Sequence, residues 1–455
     1  MGASLIFHEN PGCSKKYQHK GHAMKIASFP ARILVFTIGS LVPTLAADFT
    51  WKSAERGQWA DAARWHPSDK GFPRNEDDNV IGNSASGEIA LMIPVSIRNF
   101  TSGTPLFIAI HKSGSLRING TLALDYPDPR QGITIRGNEG AVSIAQVDIK
   151  NGSLSFGTGT THGVARLSIG SINLSGGTIL LGVLNNYELG LVTFLGVAPK
   201  AINLTRYQGG SLANTVTVKG LVSASKASNI RIIGGSRDDR NKSIHTTTLL
   251  INATTDCATN AVLFDNVDDG DATLALIKSG QGTQTLSGAS AYTGGTIVRE
   301  GRLLLANTAG SATGSGDVAV ENGVLGGAGS MVLSHKKTVA IKSGATLAPG
   351  AAKAGSQLSI RGDLKMESGS VLELSLGQKG GRSVLKRVAG DWTFAREQIV
   401  ALAAIDGGIA PGIYKDVIVG LAADPGVAGW RLKDDAHTAS FTYAKGAVGI
   451  EIKTR

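Results

Sequence analysis

A short pattern that recurs along the chain constrains its fold most: Gly or Ala, usually Ser or Thr, then an aliphatic residue. Copies stand at Gly114-Ser115-Leu116, Gly120-Thr121-Leu122, Gly152-Ser153-Leu154, Gly177-Thr178-Ile179, Gly210-Ser211-Leu212, Gly295-Thr296-Ile297, Gly323-Val324-Leu325, Ala345-Thr346-Leu347 and Gly369-Ser370-Val371. Most steps between copies span roughly 20–35 residues, a spacing typical of β-solenoids. In such folds each coil buries its inward side chains against the next coil. The pattern therefore predicts a stack of short strands.

The composition limits what can hold this stack together. Gly accounts for 60 of the 455 residues, against a usual share of about 7%. Hydrophobic residues make up 42% of the chain but aromatic residues only 5%, so small and aliphatic side chains must fill the core. The two cysteines are Cys13 and Cys257, and removal of an N-terminal leader would leave Cys257 alone. Packing and backbone hydrogen bonds, rather than a disulfide, must hold the fold.

Alternating side chains indicate strands. Leu167, Ile169, Ile172 and Leu174 follow a period of two that is interrupted at Gly170, as expected when one set of side chains points inward. Asn-Gly pairs supply corners, but they also form β-hairpins, so a hairpin-rich sandwich is the rival interpretation. A sandwich does not require self-similarity sustained over so much of the chain. We therefore predict an all-β, right-handed parallel β-helix with an N-terminal cap and a β-rich C-terminal cap.

The first residues have the character of a secretory leader. Lys25 and Arg32 precede an apolar run at 33–42, and small residues follow it. This order is typical of a signal peptide, and the run is short for a membrane span. We expect cleavage after Ala46; Met24 is a second possible start, and an uncleaved anchor is the alternative. The segment 1–46 is therefore assigned to the leader, and no transmembrane span is expected after its removal.

Three further segments follow the leader. Residues 47–90 contain Trp51, Trp59 and Trp65, three of the five tryptophans, and we predict that these rings cap the exposed first coil. Stacking of the same rings on a sugar is the alternative. Residues 91–376 are expected to form the coils. Residues 377–455 contain fewer glycines and are expected to form a C-terminal β cap that ends in a hairpin over 440–453.

The segment 277–307 carries the most specific motif in the chain: Tyr-x-Gly-Gly-Thr, a strand, then Gly-x-Leu. Its structural positions are Gly288, Tyr292, Gly294, Gly295, Thr296 and Gly301. This segment resembles the autotransporter-associated β-strand repeat, a passenger-associated repeat of bacterial surface proteins, and the resemblance is clearest over 272–376. The Gly-Gly pair permits a sharp corner at low steric cost, and the tyrosine ring can cover it. The motif therefore needs no catalytic chemistry.

The resemblance implies an exported, non-enzymatic protein with a structural or adhesive role on the outer cell surface, in the extracellular medium or in the periplasm. Residues 377–455 are too few for a translocator barrel of about twelve strands with about ten residues each. The sequence thus predicts a passenger-like repeat without its own translocator. The alternative, from a different class, is a polysaccharide-degrading or glycan-binding β-helix.

The sequence offers few candidates for a chemical site. Four acidic residues cluster around a Gly and form a weak calcium candidate: Asp265, Asp268, Asp269 and Asp271. Asp125, Asp128 and Asp148 are carboxylates that coils could bring together in a glycosidase-like pair, although their spacing does not indicate one. Catalytic motifs and ligand-spaced histidines are absent from the sequence. We predict no catalytic residue and no cofactor.

The charge of the chain limits the classes of partner that it is expected to bind. The formal net charge is +10, but the Lys and Arg residues are scattered and form no stripe beside aromatic residues. Nucleic-acid binding therefore finds no support. A solvated basic surface is the simplest interpretation, and a mild attraction to acidic glycans is the alternative. The expected partners are extracellular polysaccharide or other components of the cell surface.

Overall fold

The computed structural model describes residues 46–454 except 53–54, 77, 83–87, 138–139, 158–165, 183–185, 205–214, 239–242, 267–271, 351–354, 406 and 434–435. The leader predicted at 1–46 therefore lies outside the described residues, apart from Ala46. In the described part, strands pair in parallel with strands of the next coil along most of the chain. This pairing confirms the predicted parallel β-helix, and the hairpin-rich sandwich is wrong.

The chain passes in turn through three strand columns, called here face 1, face 2 and face 3. Long strands run along face 1, bend, and continue along face 2: β9 (Ser115–Asp125), β11 (Ala141–Asn151), β13 (Arg166–Leu174), β15 (Asn186–Phe194) and β17 (Thr215–Ser223). Face 1 also contains β6 (Pro94–Ile97), β21 (Thr247–Asn252), β24 (Leu274–Ser279), β26 (Thr296–Val298), β28 (Val318–Val320), β31 (Thr338–Ile341), β34 (Asp363–Met366) and β37 (Trp392–Thr393).

Shorter strands complete the other two columns. Face 2 also contains β1 (Asp48–Trp51), β4 (Asn79–Gly82), β7 (Asn99–Ser102), β22 (Cys257–Thr259), β25 (Thr283–Leu286), β27 (Arg302–Leu305), β29 (Val324–Gly327), β32 (Thr346–Pro349), β35 (Val371–Gly377), β38 (Ile399–Ile405) and β40 (Arg431–Leu432). Face 3 contains β2 (Gly57–Gln58), β5 (Glu88–Leu91), β8 (Leu106–Ile110), β10 (Gly132–Gly137), β12 (Ser153–Phe156), β14 (Gly177–Leu181), β16 (Lys200–Asn203), β18 (Ile230–Gly234), β23 (Val262–Asp265), β30 (Ser330–Val332), β33 (Gln357–Arg361), β36 (Val384–Ala389) and β39 (Gly412–Val419).

A few elements lie outside these columns. They are β3 (Trp65–His66), β19 (Ser236–Asp238), β20 (Ser243–His245), β41 (His437–Ala444), β42 (Ala447–Thr454) and short 3-10 helices at Ala62–Arg64, Ser68–Lys70, Gln378–Gly380 and Val427–Gly429. Among the described residues, no helix has both the length and the apolar character that a membrane span requires.

The core consists of inward side chains stacked in register from coil to coil. On face 1, Ile118 lies beside Ile144, and Ile144 lies beside Ile169. All three are buried, and the alternating residues of the same strands point outward. Because each inward side chain is covered by its counterpart on the next strand, a coil has no complete core of its own. This arrangement explains why the sequence repeats without long apolar runs.

The bend between face 1 and face 2 depends on small residues stacked above one another. Ala145, Gly170 and Gly190 occupy this corner in β11, β13 and β15, and the ladder register continues on both sides of it. A Cβ atom at Gly190 would fall far inside contact distance of the Gly170 carbonyl oxygen. The interruption at Gly170 that the sequence shows is therefore the point at which one strand turns between two faces.

The substitution Gly190→Ala tests this corner. Because the added methyl group meets backbone that cannot move without disturbing the next coil, we expect a loss of about 1–3 kcal/mol in the free energy of unfolding. Urea denaturation followed by circular dichroism measures it. Gly103→Ala is the matched control, since a Cβ at Gly103 meets nothing within 4 Å. Equal stability of the two variants would contradict the proposed packing.

The ladder extends into both segments that the sequence assigned to caps. At the N-terminal end, β1 already pairs in parallel with β4, with Asp48 beside Asn79. At the C-terminal end, β38 pairs with β35 and β40 pairs with β38. The predicted closing hairpin is present as β41 and β42, which are antiparallel, and β42 in turn pairs antiparallel with β39. The parallel ladder on face 3 therefore ends in an antiparallel hairpin.

Candidate functional site

A groove lies on the outside of face 3, near its corner with face 2. Its volume is about 860 Å³. Part of its floor is a row of outward residues that stand in register on β14, β16, β18 and β23, namely Thr178, Ala201, Arg231 and Val262. The side chains of Thr178 and Ala201 are short, so the floor is low there. We call this hollow the face 3 groove.

A buried lysine fixes one wall of the face 3 groove. Lys200 is 2% exposed, and its Nζ atom donates to the carbonyl oxygens of Gly196 at 3.1 Å, Ser228 at 2.9 Å and Ala198. Burial lowers the pKa of this ammonium group. These hydrogen bonds tie the turn that carries Ala198 and Pro199 to the following coil, so the wall is held by an internal contact.

A cation and an aromatic ring stand together in the groove. The guanidinium carbon of Arg231 lies 4.8 Å from the centre of the Phe264 ring, within the range of a cation–π contact. Both side chains line the groove, as do Lys150 and Lys200, and no Asp or Glu is found among its described lining residues. The charged residues in the described lining are therefore all cations, and they lie beside the apolar side chains of Ala201, Val262 and Phe264.

A smaller hollow of about 300 Å³ adjoins this groove and shares Lys150 with it. It brings together two of the carboxylates considered from sequence, Asp125 and Asp148. The Nζ atom of Lys150 lies 3.6 Å from Oδ2 of Asp125. Asp148 accepts hydrogen bonds from Gln146 and, at 2.8 Å, from Asn173. Both carboxylates are thus held by neighbouring side chains of the chain itself.

The third carboxylate considered from sequence, Asp128, has a local partner. It forms a two-point contact with the guanidinium of Arg130, with distances of 3.1 and 3.0 Å. These hydrogen bonds lower the pKa of the Asp128 carboxyl group. Asp128 is therefore engaged with Arg130 rather than with a second carboxylate.

The three predicted cap residues Trp51, Trp59 and Trp65 are all 0% exposed. The Trp65 ring centre lies 4.9 Å from both Trp51 and Trp59. The indole nitrogens of Trp59 and Trp65 donate to the carbonyl oxygens of Pro73 at 2.7 Å and Trp59 at 2.8 Å. None of these three rings presents a face on which a sugar could stack.

The conspicuous Tyr-x-Gly-Gly-Thr motif points into the core. Tyr292 and Thr296 are 0% and 1% exposed, and Tyr292 Oη lies 2.6 Å from Thr296 Oγ1. Because the Thr296 hydroxyl donates to the Thr313 carbonyl oxygen at 3.2 Å, the tyrosine hydroxyl is the donor in the shorter bond. Thr296 lies between Leu276 and Val318 in an inward column, so this pair places a hydrogen bond inside an aliphatic stack.

The motif glycines allow the backbones of successive coils to approach closely. Gly288 and Gly294 pass over the carbonyl groups of Ala261 and Leu274, where a Cβ atom has no room. Gly295 and Gly301 have φ angles of 88° and 64°, in the left-handed region that favours glycine. The six motif residues thus shape one turn of the solenoid.

The substitution Thr296→Val tests the buried hydrogen bond of the motif. It leaves the Tyr292 hydroxyl without its acceptor inside the core, so we expect a loss of about 1–3 kcal/mol in the free energy of unfolding. Tyr292→Phe is the matched control, because it removes the hydroxyl itself and should cost about 1 kcal/mol or less. Denaturant titration measures both variants. A Thr296→Val protein as stable as the wild type would contradict the assignment.

A buried lysine that the sequence pattern did not reveal lies within the same repeat. Lys278 is 0% exposed and lies between Ile251 and Val298 in an inward column of face 1. Its Nζ atom donates to the carbonyl oxygens of Ser279 and Gly280, both at 2.7 Å, and of Glu300 at 3.2 Å. Burial lowers the pKa of Lys278 to about 8, although the charges of Glu300 and Cys257 act in the opposite direction.

The pKa of Lys278 predicts a specific pH dependence of stability. Between pH 8 and 10.5 the unfolded chain keeps the lysine proton while the folded chain releases it, so the free energy of unfolding rises with pH. The contribution is at most about 1.4 kcal/mol per pH unit. Denaturant titrations at several pH values in this range give the free energy of unfolding. We expect it to rise less steeply with pH for Lys278→Met than for the wild type. Equal slopes would contradict the buried, proton-releasing lysine.

A second missed residue bridges an interruption in the face 2 ladder. Between β17 and β22 the regular strand pairing stops, and the buried side chain of Gln284 reaches from β25 to Leu221. The Leu221 amide donates to Gln284 Oε1 at 3.0 Å, and Gln284 Nε2 donates to the Leu221 carbonyl oxygen at 3.1 Å. One side-chain amide thus pairs with both backbone groups, as a neighbouring strand would.

The calcium candidate falls mostly outside the described residues, because Asp268, Asp269 and Asp271 lie there. Asp265 is described, and its carboxylate accepts hydrogen bonds from the amides of Leu274 and Thr293 at 2.6 and 3.2 Å. It also accepts from the Thr293 hydroxyl at 2.7 Å. Asp265 therefore links one coil to the next. No cluster of metal-ligating side chains is found in the part of the chain that the structure describes.

The segment that contains the buried motif matches a known family of repeats. Residues 276–305 match the family model described as the passenger-associated-transport-repeat, which confirms the resemblance predicted from the sequence. In the structure this segment runs from β24 to β27 and so includes one full turn of the solenoid. The match indicates an exported protein similar to autotransporter passengers. No match to a curated protein was found for the chain.

Proposed function

We propose that this chain is a non-enzymatic, exported β-solenoid protein with a structural or adhesive role at the bacterial cell surface. One observation carries the proposal: the segment that matches a passenger-associated-transport-repeat is a turn of an extended parallel ladder. The repeat is thus a unit of the same scaffold that precedes and follows it. A scaffold of stacked coils suits a protein that spans distance or presents surface.

The contacts of the repeat support a structural role for it. Tyr292, Thr296 and Lys278 all point inward, and each forms hydrogen bonds within the chain. Their polar groups are therefore engaged in joining coils and are not presented to a substrate. The polar side chains of the repeat therefore stabilise the stack of coils, as expected of a spacer or an adhesive stalk.

The face 3 groove favours a second candidate function, binding of a glycan. It is a concave surface that carries cations and an aromatic ring, as many ligand sites do. The adjoining carboxylates support glycan cleavage less well, because Asp125 is ion-paired with Lys150 and Asp148 is held by Gln146 and Asn173. Binding without cleavage is compatible with an adhesive scaffold.

Protease shaving of intact cells tests the proposed location and role. Peptides from residues 48–455, identified by mass spectrometry, are expected to be released by the protease before the cells lyse. The same cells producing a chain that lacks residues 1–46 form the matched control, and they should release none. A cytoplasmic protein followed in parallel reports on lysis.

Finding the protein away from the outer cell surface would contradict the proposal. If the chain is found only after the outer membrane is opened, or only free in the medium, a surface scaffold is wrong. Recovery of equal peptide amounts from the control without residues 1–46 would show that the signal arises from lysis.

A further inference from the structure

We propose that the face 3 groove binds a linear anionic polysaccharide. This inference rests on the proposed function, because it names the class of partner that a surface-exposed scaffold would hold. It concerns the outside of β14, β16, β18 and β23, which lies apart from the repeat matched at 276–305. It requires binding only and no chemical step.

The charge of the groove selects an anionic ligand. Its described lining contains Lys150, Lys200 and Arg231 and no carboxylate. The ammonium group of Lys200 already donates to three carbonyl oxygens, and that of Lys150 is ion-paired with Asp125. Among these three cations, Arg231 is therefore the one that faces a ligand. The guanidinium group of Arg231 presents a planar fork of donors that matches a carboxylate in two-point contact.

The direction of the groove selects a linear polymer. Its lining crosses four successive strands of face 3, from Thr178 on β14 to Phe264 on β23. Neighbouring strands are about 4.8 Å apart, so three spacings give a length of about 14 Å. The groove therefore runs along the axis of the stack, across the strands, and can seat several consecutive units of a chain.

The backbone of face 3 disfavours an extended peptide as the occupant. Strands β14, β16, β18 and β23 are paired to their neighbours in register, so their N–H and C=O groups point along the axis and are already bonded. A peptide recognised by strand addition needs a free sheet edge, which the middle of this face does not offer. The outer surface offers side chains, and these include a half-buried ring at Phe264 beside the Arg231 cation.

Binding of the purified full chain to three polymers tests the proposal. The probes are polygalacturonate, its fully methyl-esterified and uncharged form, and poly-L-glutamate as an acidic peptide, each measured by isothermal titration calorimetry at low salt. We expect binding to polygalacturonate that weakens with added salt, and at least tenfold weaker binding to the other two.

Variants locate the site on the molecule. Arg231→Gln removes the unshared cation and should weaken polygalacturonate binding at least tenfold. Ala201→Trp fills the floor without a change in charge and should weaken it similarly. Arg361→Gln is the matched control, because Arg361 is an exposed arginine on the same face but outside the groove. It should bind as the wild type does. Thermal unfolding of each variant checks that the fold is intact.

Several outcomes would overturn the proposal. The esterified polymer or poly-L-glutamate could bind as tightly as polygalacturonate does. Arg361→Gln could weaken binding as much as Arg231→Gln does. The folded wild-type chain could also fail to bind polygalacturonate. Because these measurements use purified protein, their failure leaves the cell-shaving result untouched. Conversely, a chain that binds polygalacturonate but is not released from cells would contradict only the surface role.

Discussion

The hydrogen-bonded ladder between successive coils is the interaction on which the rest of this structure depends. Each strand satisfies its backbone groups with strands about one coil away in sequence, and each inward side chain is covered by its counterpart there. Cys257 is a free cysteine in the described part of the chain, so cross-links do not replace lost ladder contacts. Stability must therefore accumulate along the stack, coil by coil, as nearest-neighbour terms.

Where the ladder is irregular, buried polar side chains take over the role of backbone groups. Gln284 pairs with the backbone of Leu221 as a strand would. The Nζ atom of Lys278 donates to carbonyl oxygens of two adjacent coils. Asn307 acts similarly, because its amide donates to the carbonyl oxygen of Ser330 and accepts from the Ser330 amide. Unpaired backbone groups in the core would be costly, and these polar side chains stabilise the fold by pairing with groups that the ladder leaves open.

The dependence on contacts between coils also explains which parts of the structure could be predicted from the sequence. Period-two alternation depends on neighbouring residues, so it indicated strands correctly. The interruption at Gly170 was visible in the sequence, but only the structure shows that it is a corner. The inward position of Lys278 follows the same alternation after Leu274 and Leu276, but its charge argues for the surface. The carbonyl groups of Ser279, of Gly280 and, one coil later, of Glu300 resolve that conflict by accepting from the buried ammonium group. The groove could not be predicted from the sequence either, because Lys150 and Phe264 line the same surface only when the coils stack.

The same stacking separates the interior of the solenoid from its surface. Inward positions are fixed by the neighbouring coils, whereas an outward residue such as Ala201 or Arg231 contributes to the ladder only through its backbone. Outward side chains can therefore change from coil to coil without disturbing the core. The row that contains Ala201 and Arg231, with the Arg231 cation beside the Phe264 ring, is thus permitted by the fold but not required by it. Contacts within the core do not account for these outward residues, and the proposed binding of a polysaccharide does.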